Sequence, residues 1–117
     1  MYTMSHSMSD DMQKCMEDCH QCHMTCLQMA ATHCLKVGGK HTEPAHMRLM
    51  LDCAEICQTA MNVMARASAH HAVVCRACAE ICRACAASCE RVGDMDDCVQ
   101  TCLRCAESCE QMSAVAA

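Results

Sequence analysis

Along this chain cysteine stands at the positions where helical proteins usually carry leucine and isoleucine. Within each of four stretches the step from one cysteine to the next is three or four residues, except where the stretches are divided. The stretches are Cys15, Cys19, Cys22 and Cys26; Cys53 and Cys57; Cys75, Cys78, Cys82, Cys85 and Cys89; and Cys98, Cys102, Cys105 and Cys109. At about 3.6 residues per turn such a series stays on one face of an α-helix, with Asp, Glu, Gln, Lys and Arg left to the others. Cys34, eight residues beyond Cys26, is rotated in a regular helix by about 80° toward the edge of that face. Four helices are predicted, over roughly 5–36, 43–67, 69–92 and 95–113. Gly38 and Gly39 end the first, because glycine is favoured just past a helix end. Thr42 is the expected cap of the second, with Pro44 in its first turn. Ser68 is the expected cap of the third, which stops near Val92 and Gly93, and Asp94 that of the fourth. Long helices joined by short connections pack against their neighbours antiparallel. The expected fold is therefore all-α: one domain over 1–117, an antiparallel up-down-up-down four-helix bundle with a cysteine-lined core.

Composition sharpens this picture. Apart from its sixteen cysteines the chain has little core material: five Leu, two Ile, seven Val, no Phe and no Trp. Free Cys and Met act as small or adaptable hydrophobes and fill part of the deficit, which predicts a loosely held metal-free protein. A net charge of −5 without a cationic cluster, and with a single aromatic residue, Tyr2, argues against nucleic acid as a partner. No apolar run reaches the ~18 residues of a membrane span, and the N-terminus lacks a basic segment followed by an apolar one. The expectation is a cytoplasmic protein, or a periplasmic one if an export signal has been removed. In a reducing compartment the cysteines are thiols, so metal binding outranks a disulfide framework. Bridges within one helix also fit poorly with preferred disulfide geometry.

A tube of thiols selects soft metals: Cu(I), Zn(II) or iron–sulfur clusters. Iron–sulfur clusters usually take their ligands from compact loops, whereas these cysteines run along helices. A structural zinc site uses four thiolates and carries a formal charge of −2, so four such sites would bury about eight negative charges. One Cu(I) per thiolate leaves the core neutral. Residues at i and i+4 hold their Cβ atoms about 5–6 Å apart, so the pairs 15/19, 22/26, 53/57, 78/82, 85/89, 98/102 and 105/109 can each grip one ion. All sixteen cysteines are candidate ligands, with Cys34 the one that the pattern leaves open. Zinc buffering, at about four ions per chain, and a thiol/disulfide redox cycle are the alternatives. The Arg and Glu residues of the repeated third and fourth helices read as a solvated surface with local ion pairs. No activated nucleophile or oriented acid–base pair points to an enzyme.

Methionines prolong the sulfur stripe. Met8 and Met4 fall within about 20° of the Cys15 direction, Met12 about 60° away, and Met64 and Met61 lie about 20° and 80° from Cys53. In an antiparallel bundle these residues share one end with Met112 and with His70 or His71, of which His71 faces the cysteine side. Neutral thioether and imidazole ligands suit Cu(I) without the charge of a thiolate, so Met4, Met8, Met12, Met61, Met64 and His71 form the expected entrance; methionine filling the end of the core is the plain alternative. The opposite end gathers His33, His41, His46, Met47, Met50 and Met95. His46 and Met50 lie within about 60° of Cys53 and His33 about 20° from Cys26, but solvated or locally hydrogen-bonded histidines are the ordinary outcome there. His20 and His23 lie beside the stripe and read as surface residues.

Four segments carry a resemblance to a known family: Cys-Met-Glu-Asp-Cys-His-Gln-Cys-His-Met-Thr-Cys (15–26), Asp-Cys-Ala-Glu-Ile-Cys (52–57), Cys-Arg-Ala-Cys-Ala-Glu-Ile-Cys-Arg-Ala-Cys (75–85) and Cys-Leu-Arg-Cys-Ala-Glu-Ser-Cys (102–109). Over about 10–113 the chain resembles the bacterial copper storage proteins, the Csp family of cysteine-rich four-helix bundles. The resemblance implies many Cu(I) ions per chain, held as a cellular store or detoxifying sink, with a copper chaperone or small-molecule donor as partner. Cytosolic members of that family resemble homotetramers. The missing export signal is similar to the cytosolic type, and the Met4/Met8/Met12 entrance to the exported type.

Overall fold

The computed structural model describes residues 9–114. Four long helices make up nearly all of them: α1, Asp10–Met29, prolonged by a π-helical turn, Ala30–Cys34, and a last turn, Leu35–Val37; α2, Pro44–Ala65; α3, His71–Val92; and α4, Asp96–Ser113. α1 begins at Asp10 with Ser9 as its cap, and positions 5–8 of the expected helix lie outside the described residues. The Ser9 hydroxyl accepts a hydrogen bond from the Met12 amide at 3.1 Å, and Asp10 and Asp11 place negative charge in the first turn, where the free N–H groups favour it.

The other expected caps are corrected. Thr42 lies in a 3₁₀ turn, Gly39–Thr42, and its hydroxyl donates to the Gly39 carbonyl, so α2 begins behind Glu43 with Pro44 in its first turn. Ser68 accepts from the His70 amide, two residues too early to cap α3, and His70 takes the cap position without a side-chain bond. Asp94 has φ 56°, and Met95 stands at the start of α4 because its buried side chain anchors the chain there. α2 ends in a Schellman motif. The Ser68 amide bonds the Val63 carbonyl and the Ala67 amide that of Met64, with Ala67 itself in the left-handed region at φ 55°.

The π-helical turn corrects the expectation for Cys34. Eight residues of regular helix would carry Cys34 about 80° past the Cys26 direction, but i+5 bonding inserts one residue into the turn and winds the chain back by about 100°. Cys34 is accordingly fully buried, while His33 is half-buried with its Nε2 3.6 Å from the Asp94 carboxylate.

The helices form a closed square in which each packs on two neighbours, in the order α1, α2, α3, α4 and back to α1. Their directions alternate. Cys15 and Cys19 approach Cys109 while Cys26 approaches Cys102, so α1 and α4 are antiparallel. Cys53 and Cys57 both meet Cys82, and Cys57 also meets Cys78, which sets α2 antiparallel to α3. Buried alanines, Ala54, Ala60, Ala79, Ala86 and Ala106, flank the cysteines and let the helices come close. Surface ion pairs span the seams: Arg83 with Glu110 at 2.9 Å, and Arg91 with Glu43 at 3.2 Å. The Asp18 carboxylate accepts from the Ser108 hydroxyl of α4 and pairs with Lys14 at 2.9 Å. Among the described residues no helix is long and apolar enough to cross a membrane.

Candidate metal centre

All sixteen cysteines are fully buried and none is in a disulfide. The stripe of each helix faces the axis, so the sulfurs form a column of thiols in mutual contact. From the end where α1 starts, the first group is Cys15, Cys75 and Cys109. Cys19, Cys78, Cys105 and Cys109 follow, with Cys19 3.5 Å from Cys109 and 3.7 Å from Cys105. Next come Cys22, Cys57, Cys82 and Cys105, and after them Cys22, Cys26, Cys53 and Cys102. Within each group the sulfurs lie within 4.8 Å of one another. Consecutive groups share a corner, first Cys109, then Cys105, then Cys22. Such a lattice suits soft metals, because a shared thiolate can bridge two ions.

Beyond the fourth group the ligand chemistry changes. Met50 is fully buried, and its Sδ accepts from Cys85 at 3.6 Å and Cys89 at 3.4 Å. Cys98 lies in the same region, beside Cys26 and Cys89. Cys34 donates to the Met95 Sδ at 3.6 Å and stands 3.8 Å from His46 Nε2. His46 is fully buried with Nδ1 2.8 Å from the Ser88 hydroxyl. Burial first, then the charge of Cys89, pushes the Cys34 thiol up from its ordinary 9.0. Burial lowers His46 from 6.5 and keeps its imidazole neutral, the state in which it ligates a metal.

Of the expected entrance, Met64 and His71 are buried, Met12 and Met61 half-buried against the core, and Met112 is buried beside them. The His71 Nδ1–H donates to the Ser68 carbonyl at 3.1 Å, and Nε2 is buried with no hydrogen-bond partner among the described residues. His70 is exposed. Met4 and Met8 lie outside the described residues. At the other end the inward direction that the spacing from Cys53 allowed for His46 and Met50 is the one observed. His46, Met50 and Met95 reach in among the thiols, whereas His41 bonds the Gly93 carbonyl at 3.0 Å and packs edge-on against His33. The signal was present in the spacing, since Met95 precedes Cys98 by three residues and so lies about 60° from it on α4. His23 is likewise no free surface group: its Nδ1 lies 2.7 Å from the Ala54 carbonyl and ties α1 to α2.

Comparison with known proteins adds three findings. The family model described as copper storage protein matches residues 5–114. Among solved structures, the Nmul_A1745 protein of Nitrosospira multiformis is 54% identical, with a TM-score of 0.88 over 89% of this chain and 95% of that one. The Cu(I)-bound copper storage protein BsCsp3 is 33% identical, with a TM-score of 0.81 over 90% of this chain and 100% of that one. Apo-Csp3 from Bacillus subtilis is also 33% identical, with a TM-score of 0.72 over 87% and 98%. No curated protein matches.

Proposed function

The chain belongs to the copper storage protein family, and from that premise we propose that its core column is where Cu(I) is held, with all sixteen cysteines as ligands. The protein stores copper, binding several Cu(I) ions through buried thiolates. The observation that carries the residue assignment is the corner-sharing lattice of sulfurs, in which neighbours approach to 3.5–4.0 Å with no other side chain between them. Each thiol loses its proton on binding, so one Cu(I) per thiolate leaves the core without net charge. Met12, Met61, Met64 and His71, continued by Met4 and Met8, form the entrance: neutral ligands there hold an ion less tightly than the thiolates further in, and so pass it on. His71 is suited to this by an Nε2 whose tautomer the Ser68 carbonyl fixes as a free acceptor. A copper chaperone or small-molecule donor delivers the ion, no reaction is catalysed, and the reducing cytoplasm keeps the thiols ready. The chain assembles as a homotetramer in this reading.

Anaerobic titration of the fully reduced protein with Cu(I) against a competing chelator tests the assignment. The expected plateau is about one ion per cysteine, with any excess assigned to the methionine end. A plateau near four, or no binding, would overturn it.

A further inference from the structure

Cys22, Cys26, Cys53 and Cys102 form a regular tetrahedron. All six of its edges are short: 3.9 Å for 22–26, 3.8 Å for 22–53, 22–102 and 26–53, 3.5 Å for 26–102 and 4.0 Å for 53–102. A tetrahedral Zn(II) with Zn–S bonds of about 2.3 Å requires sulfurs about 3.8 Å apart. This cage therefore fits a divalent, thiophilic, tetrahedral cation without moving its ligands. The groups Cys19/Cys78/Cys105/Cys109 and Cys22/Cys57/Cys82/Cys105 each bring four thiols within 4.8 Å of one another.

We propose that the copper-free bundle binds two divalent ions of the Zn(II) class, one in the Cys22/Cys26/Cys53/Cys102 cage and one in the Cys19/Cys78/Cys105/Cys109 cage. The number follows from the shared corners. The middle group takes Cys22 from one cage and Cys105 from the other, so filling it excludes both, whereas the outer two have no residue in common. Two is the largest set of complete cages, half of what a count of sixteen thiols in fours suggests. Each ion displaces four thiol protons and leaves a tetrathiolate of charge −2. Two sites thus bury about four negative charges instead of eight. Among the thiols that remain protonated, Cys57 lies 3.8 Å from Cys105 and Cys15 3.6 Å from Cys109. Their S–H groups donate to the thiolates and moderate that charge. The inference concerns a different metal class and does not rest on the copper reading. Since the same sulfurs serve both, divalent ions and Cu(I) exclude one another.

The test is an anaerobic titration of the reduced, metal-free protein with Co(II), whose tetrahedral tetrathiolate complexes have intense visible bands. The bands are expected to grow linearly and stop at two ions per chain. Cys53→Ser and Cys78→Ser, which each spoil one outer cage, lower the plateau to one; Cys57→Ser, which touches only the middle group, leaves it at two. The double variant Cys53→Ser/Cys78→Ser still binds one ion, now in the middle group, and adding Cys57→Ser removes it. No tetrathiolate bands, a wild-type plateau of one or of four, or a plateau indifferent to Cys53→Ser would overturn the proposal, and the wild-type result stands even if a variant fails to fold. Titrating the same samples with Cu(I) separates the two readings: copper capacity retained without Co(II) bands sinks this one alone.

Discussion

His46 is fully buried yet polar, and both ring nitrogens are committed: Nδ1 to the Ser88 hydroxyl at 2.8 Å, and Nε2 toward Cys34 at 3.8 Å. Replacing it with alanine removes a buried ring and leaves the Ser88 hydroxyl unpaired in a half-buried position. The lost hydrogen bond alone costs about 0.5–1.5 kcal/mol, to which the cavity adds. His46→Ala is expected to lower the denaturation midpoint of the metal-free protein by at least that equivalent, and urea unfolding followed by circular dichroism measures it. A loss within error of zero would mean that the ring carries no structural load. The residue also shows where reading the sequence falls short. Its spacing from Cys53 put it near the cysteine face, but spacing on a single helix does not show what the other helices bring to meet it. Ser88 on α3 and Cys34 at the end of α1 meet His46, with Met95 against Cys34, only through tertiary packing. The fifteen cysteines in register needed no such help, because one face per helix already carries them to the axis.

Helices α1 to α4 were legible because a period of three and four residues is hard to mistake, and Pro44, Gly38 and Gly93 mark their limits in the expected way. Caps were less legible, since Thr42, Ser68 and Asp94 are all good capping residues that the chain uses inside turns instead. The π-helical turn left no mark in the periodicity except the misplacement of Cys34. It acts as an insertion of one residue, absorbed so that Cys34 keeps facing the core. Deleting Ala31, an exposed residue within the turn, is therefore expected to restore regular α-helix while Cys34, now seven residues past Cys26, stays within about 20° of the stripe. Inserting one alanine after Ala31 swings Cys34 outward by about 100° instead. The deletion should preserve the number of Cu(I) ions bound and the insertion should reduce it. Equal losses in both variants would show that the turn is needed for itself and not for the register it sets.

The whole molecule follows from filling a bundle with small thiols in place of aliphatics. Full burial of a Leu-sized side chain contributes roughly 1.5–3 kcal/mol, and the chain has few of them, so its metal-free stability rests on a thin margin. Two groups at the Cys34 end make that margin depend on pH. The Cys34 thiol is raised above 9.0 in the folded state, chiefly by burial, so its contribution is fully present below pH 9.0 and is lost as pH rises toward the folded value, because the unfolded thiol ionises first. His46 is lowered below 6.5 by burial, so its contribution is present above pH 6.5 and is lost as pH falls, because the unfolded imidazole takes up the proton that the folded one refuses. The melting temperature of the metal-free protein is expected to be highest between about 6.5 and 9 and to fall on both sides. Loading with Cu(I) changes the alkaline side. Once the thiols have given up their protons to the metal, the folded core has none left to defend, and the decline above pH 9 should disappear while the melting temperature rises throughout. The acid side should steepen, since thiolate–metal bonds must be reprotonated as the protein unfolds. Calorimetric scans of both forms across this range check the argument, and a loaded protein that still lost stability above pH 9 would show that the core thiols retain their protons and do not all hold copper.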